Sequence, residues 1–178
     1  MSEDTNKPKV ILIAAVGKNL ELGKDNSLLW HLHEDMRFFK ETTIGHTVVT
    51  GRKSFESIPP KYRPLPERTN IILSRNPDYL YEECYTVATL EEAMEIAVSQ
   101  GEIKVFIIGG GEIYRMALAN DVVDEMYLTH VEAAFPDADT FFPEFKMEHW
   151  KTEQIMSIAS DSVNEFPFVV LHYKRKLT

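Results

Sequence analysis

The sequence is poor in cysteine and lacks a long apolar run. Its one cysteine, Cys84, cannot form an internal disulfide or a cysteine-based zinc cluster, and such cysteine use is typical of a reducing compartment. The longest purely apolar run, residues 10–16, is far shorter than the roughly 20 residues of a membrane-spanning helix. We therefore expect a cytoplasmic protein without a membrane partner.

Basic residues are also scarce relative to acidic ones. The 19 Lys and Arg residues face 28 Asp and Glu residues, which gives a formal net charge of −9. Affinity for nucleic acid comes largely from clustered Lys and Arg, so this balance argues against a nucleic-acid partner. Any anionic ligand must be held by a local basic cluster.

Length and terminal composition indicate one domain. A chain of 178 residues is long enough for one well-buried core and short for two. Residues 1–9 begin with acids and have no apolar stretch, so we interpret them as a solvated leader and not as a secretory signal. The domain is then expected over residues 10–178, with the proline-rich residues 58–68 forming an ordered loop.

The hydrophobic pattern predicts an α/β fold. Short apolar segments rich in β-branched residues are typical of strands covered on both faces, hence of a mainly parallel sheet. These predicted strands are residues 10–16, 47–50, 70–74, 105–108 and 125–130. Helical spacing or composition marks residues 34–42, 54–57 and 90–99. Residues 150–158 and 168–176 flank a polar turn and predict an antiparallel hairpin at the edge of the sheet.

Asp35 is a carboxylate that shares a predicted helix face with aromatic residues. Asp35 begins a predicted helix, and Phe38 and Phe39 follow three and four residues later, on the same face. Taken alone, Asp35 is more simply a helix N-cap, because Asp is a preferred capping residue. The functional alternative is that apolar walls raise its pKa and let it pair with a planar, amidine-like group of a substrate.

Basic residues and glycines follow several predicted strands. Gly51 leads from a strand into Arg52, Lys53 and Ser54 at a helix start, which favours a phosphate site, although a turn with solvated charges explains it equally well. Ser74 and Arg75 follow the next strand. Residues 109–111 are three consecutive glycines between a strand and a helix, which indicates close approach of a backbone or ligand. This is not the Rossmann fingerprint. Arg68 is a candidate for binding a carboxylate, or else a solvated loop arginine.

The order of these motifs is more specific than any one of them. Along the chain come IAAV, LGKDN, a Trp, the Asp that opens a helix, TGRKSFESI, RPLPER, NIILSR, IIGGGEIY, YLTHV and DADTFFP. This series resembles the dihydrofolate reductase family from residue 10 to about residue 175.

The resemblance implies a fold and a reaction. The fold would be an eight-stranded, mainly parallel sheet with an antiparallel C-terminal edge and flanking helices. NADPH would reduce 7,8-dihydrofolate to 5,6,7,8-tetrahydrofolate, with hydride going to C6 and a proton to N5, for one-carbon metabolism and thymidylate synthesis. Antifolate molecules would bind the same site. No metal is implied, and we expect a monomer.

The resemblance also implies roles for residues. The catalytic group would be Asp35, helped by Thr129 through water, with Leu28 and Trp30 beside it. The substrate would contact Ile13, Asp35, Met36, Phe39, Ser57, Ile58, Leu65, Arg68, Ile108, Tyr114 and Thr129. Within this set Arg68 would bind the glutamate carboxylate.

For the cofactor, Ala15 and the stretch from Leu22 to Leu28 would border the nicotinamide. The residues of that stretch are Leu22, Gly23, Lys24, Asp25, Asn26, Ser27 and Leu28. The remaining cofactor contacts would be Gly51, Arg52, Lys53, Ser54, Leu73, Ser74, Arg75, Ile108, Gly109, Gly110, Gly111, Glu112, Ile113, Tyr114 and Thr140.

Departures from the family pattern keep alternatives open. Leu29 and His33 stand where family members usually or often have proline, so the segment beside the nicotinamide is less restricted. The acid is Asp, as in bacterial members, and loop 58–68 is slightly long, which leaves inhibitor preference open. Two alternatives are a same-fold NADPH reductase of another pyrimidine-like or ribityl substrate and a ligand-binding protein without turnover.

Overall fold

A computed structural model describes residues 7–24 and 27–177, with the backbone alone at residues 24, 27 and 28. Its strands are β1 (Lys9–Val16), β2 (Glu21–Lys24), β3 (Ser27–Leu28), β4 (Thr47–Gly51), β5 (Thr69–Leu73), β6 (Tyr85–Val87), β7 (Lys104–Gly109), β8 (Glu125–Val131), β9 (Thr140–Phe141), β10 (Trp150–Ile158) and β11 (Phe168–Arg175). The α-helices are α1 (His33–Thr43), α2 (Arg52–Glu56), α3 (Leu90–Ser99) and α4 (Gly111–Ala119), and short 3-10 helices lie at Pro60–Tyr62 and Met147–His149.

Eight strands form the main sheet in the order β10-β11-β8-β1-β7-β4-β5-β6. The pairs from β8 to β6 are parallel, whereas β11 runs antiparallel to β8 and β10 antiparallel to β11. This confirms the predicted α/β class with its antiparallel C-terminal edge.

The apolar character of the central strands follows from burial on both faces. In β1, Ile11 and Ile13 belong to one apolar cluster, to which Phe39 of α1 also belongs. The intervening Leu12 belongs to a second cluster that includes Ala117 of α4 and Ala93 of α3. Helices therefore cover the two faces of the sheet, and Lys9, the first residue of β1, is the one exposed position of that strand.

The connections of β1 and β7 run in opposite directions across the sheet. After β1 the chain crosses to β4, on the β7 side, and after β7 it crosses to β8, on the β1 side. In open α/β sheets such a reversal leaves a crevice at the carboxyl ends of the strands, where ligands bind. The strand ends at this edge carry Ala15, Gly51, Gly109 and Thr129.

A second, three-stranded sheet in the order β3-β2-β9 was not predicted. Its strands are only two to four residues long, and β9 lies more than a hundred residues from β2. Glu21 of β2 is buried, and its carboxylate accepts hydrogen bonds from the backbone N–H groups of Asn19 and Phe135. Burial alone would raise the pKa of Glu21, but these bonds outweigh it and lower the pKa.

Two loops connect the sheet to the region of the crevice. In the proline-rich loop, Leu65 N–H donates to Asn70 Oδ1, and the Asn70 amide donates to the carbonyls of Leu65 and Arg68. These bonds fix the loop to β5. The loop between β10 and β11 pairs with the chain just before α1, through a bridge between Leu32 and Asn164.

Within residues 7–24 and 27–177, no helix is long and apolar enough to cross a membrane.

Candidate active site

Asp35 does not cap its helix. Helix α1 begins at His33, its N-cap position is Leu32, and Asp35 is the third residue of the first turn. The N-cap interpretation of Asp35 is therefore wrong, because its carboxylate bonds outside the helix. Thr129 Oγ1 of β8 donates a hydrogen bond to Asp35 Oδ1 at 2.5 Å. Thr129 therefore contacts the Asp35 carboxylate directly.

Burial sets the acidity of Asp35. It raises the pKa of the carboxylate to about 6, and the hydrogen bond from Thr129 opposes part of the rise. Tyr114, buried nearby on α4, donates its hydroxyl to the carbonyl of Ile13 at 2.7 Å. Burial and then the charge of Asp35 raise the pKa of Tyr114, so this hydroxyl remains a donor. Asp35 can thus be an acceptor at neutral pH and become protonated just below it.

An apolar wall lies in the same region. The cluster around Ile11, Ile13, Val48 and Phe106 includes the partly buried Phe39, Leu65 and Ile108. Four predicted substrate residues, namely Ile13, Phe39, Leu65 and Ile108, are therefore brought together. Met36 projects into solvent with 56% of its surface exposed, and Ile58 is half-buried.

Arg68 is held at the edge of this region. Its Nε donates to the carbonyl of Pro66 at 2.9 Å, and its Nη1 donates to Thr43 Oγ1 at 3.1 Å. Partial burial lowers the pKa of Arg68, although Glu67 opposes this. These two bonds do not use Nη2. The guanidinium is therefore oriented by the protein and is not a freely solvated loop arginine.

Two other residues expected near the substrate have local partners. Ser57 Oγ donates to the carbonyl of Ser54, one turn back along the chain. Trp30 is buried, and its ring centroid lies 5.1 Å from that of Phe135. The structure therefore assigns Trp30 a packing contact and gives Ser57 a partner in its own turn.

The three consecutive glycines lack a side chain for different physical reasons. Gly109 has φ +117°, and a Cβ there would lie 3.0 Å from the Tyr114 hydroxyl. A Cβ at Gly111 would lie 3.0 Å from the methyl group of Thr140. Both positions thus exclude a side chain through packing within the protein. Gly51 is similar, with a Cβ contact of 3.0 Å to Ile113.

Gly110 differs because its missing side chain leaves a gap. A Cβ there would lie 3.7 Å from Ser54 Cβ, at ordinary contact distance. Gly110 is also the N-cap of α4, and no described side chain caps this helix. The free N–H groups at a helix start and the helix dipole both favour an anion. The gap between α4 and Ser54 of α2 is therefore suited to a phosphate group.

Basic side chains flank this gap on both sides. Arg75, after β5, reaches Glu112 in the first turn of α4 at 3.1 Å. At the start of α2, Arg52 bonds Glu56 at 3.1 Å and lies over the ring of Tyr79, and Lys53 is exposed. The structure thus brings Arg75 to the first turn of α4 and, from the other predicted basic site, places Ser54 beside Gly110.

The other predicted cofactor residues divide into three groups. Ala15 is paired with Thr129, Leu73 is buried in β5, and Ser74 exchanges hydrogen bonds with the backbone of Asn76. In the small sheet, Gly23 accepts a hydrogen bond from Asp139 N–H and pairs with Thr140. The predictions for Asp25 and Asn26, and for the side chains of Lys24, Ser27 and Leu28, lie outside the described residues.

Two residues that support the site were missed. Thr50 Oγ1 is buried and donates to the carbonyl of Gly109 at 3.1 Å, which ties the end of β4 to the glycines. The sequence signal that could have identified Thr50 is a polar residue inside the otherwise apolar run TVVTG. Asn164 bonds the start of α1 from the β10–β11 loop, and no local pattern marks it. In the described part of the chain, no group of three His, Cys, Asp or Glu residues could hold a metal ion.

An α/β sheet with a buried carboxylate and an uncapped, basic-flanked helix start along its carboxyl edge defines the class of nucleotide-binding α/β enzymes. Comparison with known proteins gives the family. The family model of dihydrofolate reductase matches residues 9–175. The chain therefore belongs to the dihydrofolate reductase family, as the motif order predicted.

Individual relatives agree with this assignment. The dihydrofolate reductase of Bacillus subtilis is 35% identical over 167 residues, covering 94% of this chain and 95% of the relative. That of Neisseria meningitidis serogroup A is 39% identical over 168 residues, covering 94% and 98%. A structure of dihydrofolate reductase from Enterococcus faecalis, complexed with NADP(H) and RAB-propyl, superposes with a TM-score of 0.81 at 33% identity. It covers 95% of this chain and 97% of that one.

The raised pKa of Asp35 predicts a pH-dependent cost in stability. Its ordinary value is 3.8 and its folded value is about 6, so between these values the folded state alone holds the proton. The contribution of Asp35 to stability then falls as pH rises from about 4 to about 6 and is level above. Asp35→Asn should leave the free energy of unfolding near wild type at pH ~4 and raise it by about 2 kcal/mol at pH ~7. Urea unfolding across this range measures the difference.

Glu34→Gln, on the neighbouring carboxylate, is the control and should keep the wild-type pH dependence. An Asp35→Asn curve parallel to wild type at every pH would contradict the burial argument.

The hydrogen bond from Thr129 lowers the pKa of Asp35, so its removal should raise that pKa. Thr129→Val removes the donor that favours the charged carboxylate, so the pKa of Asp35 should rise above its wild-type value of about 6. A carboxyl NMR titration of Asp35 measures this directly. Thr129→Ser keeps the hydroxyl and should titrate close to wild type; equal titration in all three proteins would remove Thr129 from this role.

Proposed function

We propose that this protein reduces 7,8-dihydrofolate to 5,6,7,8-tetrahydrofolate with NADPH, and that Asp35 binds the pterin. The observation that carries the proposal is a carboxylate with a pKa near neutrality, fixed by Thr129 beside an apolar wall. A reductase of another pyrimidine-like substrate does not account for Arg68 oriented at the edge of the same wall. A binding protein without turnover is separated from an enzyme by the turnover assay below.

The role of Asp35 follows from its hydrogen-bonding capacity. An ionised carboxylate accepts in two directions, which matches the N3–H and 2-amino donors along one edge of a pterin. Thr129 holds Oδ1, so the carboxylate has a fixed plane before substrate binds. Because this edge is remote from N5, the proton for N5 would arrive through water, and Asp35 would bias the pterin toward its protonated form.

Arg68 would bind the glutamate end of the substrate. Its guanidinium is held through Nε and Nη1 on the loop that also carries Leu65, a member of the apolar wall. Arginine pairs with a carboxylate through parallel N–H donors, and an oriented guanidinium loses less freedom on binding. Asp35 and Arg68 would thus select the two polar ends of a folate, with the aromatic middle against Phe39 and Ile108.

The residues at the start of α4 fit a dinucleotide. Gly110 keeps the gap to Ser54 clear, and the helix start offers uncapped N–H groups for a pyrophosphate. Arg75 and the α2 residues Arg52 and Lys53 would bind the remaining phosphate charge, including a 2′-phosphate. NADPH, when bound, supplies the hydride. The protein supplies the position of the two rings, which is where most of the rate enhancement would arise.

Three further properties belong to this proposal. Residues 9–175, from the start of β1 to the end of β11, would act as one domain. The expected boundary at residue 10 falls one residue inside β1, because Lys9 already pairs with Lys104. The protein would be a cytoplasmic monomer. Antifolate molecules with an amidine-like edge would compete with dihydrofolate for Asp35.

Turnover is the direct test. The protein is mixed with NADPH and dihydrofolate, and the nicotinamide absorbance is followed. We expect turnover with NADPH, weak use of NADH, and a loss of at least ~100-fold in Asp35→Asn at neutral pH, the scale of a lost acid–base group. Glu34→Gln should retain wild-type turnover. An Asp35→Asn enzyme near wild type would remove Asp35 from its central role, and absence of turnover with dihydrofolate would refute the proposed substrate.

Arg75 tests the 2′-phosphate assignment. Arg75→Ala should raise KM for NADPH by roughly tenfold, on the scale of one charge-assisted contact, and change KM for NADH far less. Steady-state kinetics with both cofactors measure the two values. The matched control is Arg115→Ala, an arginine of α4 that lines a depression with Pro143 and Trp150. An equal effect of Arg75→Ala on both cofactors would place Arg75 elsewhere.

A further inference from the structure

Helix α1 lacks a cap of its own. Its N-cap residue is Leu32, whose side chain makes no capping hydrogen bond. The first backbone N–H groups of a helix have no partner within it, and a Ser, Thr, Asp or Asn at the N-cap normally bonds one of them. The helix that carries Asp35 therefore depends on partners from elsewhere in the chain.

The β10–β11 loop supplies these partners. Asn164 Oδ1 accepts a hydrogen bond from Glu34 N–H at 3.0 Å, and the carbonyl of Val163 accepts from His33 N–H at 3.2 Å. Glu34 directly precedes Asp35, and Asn164 lies 130 residues further along the chain. The first turn of α1 is thus capped by a residue from the opposite end of the sequence.

Asn164 is itself fixed in one orientation. It is 1% exposed, and its Nδ2 donates to Asp161 Oδ1 at 3.1 Å, while its own N–H donates to the same oxygen at 2.7 Å. An amide is the side chain that can accept from a helix N–H and donate to a carboxylate at once. An aspartate at this position would face Asp161 with a second negative charge.

The loop is anchored to the strand that carries Thr129. Strand β11 pairs with β8, with Phe168 opposite Val131 and Val170 opposite Thr129. Asn164 therefore holds the backbone before Asp35, and Thr129, on the neighbouring strand, holds its carboxylate. Together the two contacts hold the backbone next to Asp35 and its carboxylate relative to the same pair of strands, β8 and β11.

We propose that Asn164 is a positioning residue for the reduction of dihydrofolate, which caps α1 from the β10–β11 loop and so holds the Asp35 carboxylate against Thr129. Asn164 acts through the backbone of Glu34, so its effect is on the placement of Asp35. The inference rests on the proposed function for its kinetic part only.

Kinetics of Asn164→Ala test the proposal. We expect kcat with dihydrofolate to fall by roughly tenfold, since a small misplacement of a reacting group is costly, while KM for NADPH stays within about twofold of wild type. The matched control is Ser162→Ala, an exposed residue of the same loop, which should behave as wild type. A variant that is less stable but keeps wild-type kcat would overturn the inference.

The titration of Asp35 provides a readout that needs no turnover. In Asn164→Ala a looser first turn admits water to the carboxylate, so its NMR titration midpoint should move down from about 6. An unchanged midpoint would show that Asn164 has a purely structural role. If wild type shows no turnover while this midpoint shifts, the proposed function fails and the positioning role stands.

A paired exchange keeps the test decisive if Asn164→Ala does not fold. Asn164→Asp should lower kcat, because two carboxylates then face each other across the bond to position 161. Adding Asp161→Asn restores one amide and one carboxylate in that pair and should recover most of the activity. Failure of the double variant to improve on Asn164→Asp would contradict the assigned hydrogen bonds.

Discussion

The carboxylate of Asp35 is the constraint around which the site is arranged. Burying a charged group is costly unless it is hydrogen-bonded, and Asp35 has Thr129 as its bonded partner. Burial raises the pKa of Asp35 and this bond lowers it; the effect of burial is the larger, and the pKa lies at about 6. A group that is ionised at neutral pH but easily protonated is what the proposed recognition and polarisation of a pterin would require. The cost in folding stability is the consequence of that requirement.

The other parts of the site are positioned by contacts that do not involve this carboxylate. The apolar wall belongs to the sheet and to α1, the oriented Arg68 to a loop fixed by Asn70, and the helix start for a phosphate to α4. The start of α4 follows the carboxyl end of β7, in the crevice that the opposite connections of β1 and β7 leave, whereas Arg68 directly precedes β5 and bonds Thr43. The chain has a net charge of −9, so Arg52 and Arg75 form a local basic region on an acidic protein.

Much of the fold was predictable because the central strands are buried on both faces. Burial on both faces gives these strands continuous apolar runs, so their bounds were predictable to within a few residues. The antiparallel C-terminal hairpin was predictable as well. The small sheet was missed because its strands are too short to show a period, and their pairing depends on residues far apart in the chain. In the site, Gly109 to Gly111 were rightly singled out, but two of the three are explained by packing against Tyr114 and Thr140, and Gly110 alone leaves a gap.

The sequence by itself determined the family, the residue types of the site and the mainly parallel arrangement of the sheet, because these depend on local pattern and on motif order. The tertiary structure decided what Asp35 contacts. Its partner Thr129 is 94 residues away, and the cap of its helix, Asn164, is 130 residues from Glu34. Local pattern favoured Asp35 as the cap of its own helix over a carboxylate with a raised pKa among apolar walls. Only the folded chain shows that the helix is capped by another residue, which leaves the carboxylate available for a substrate.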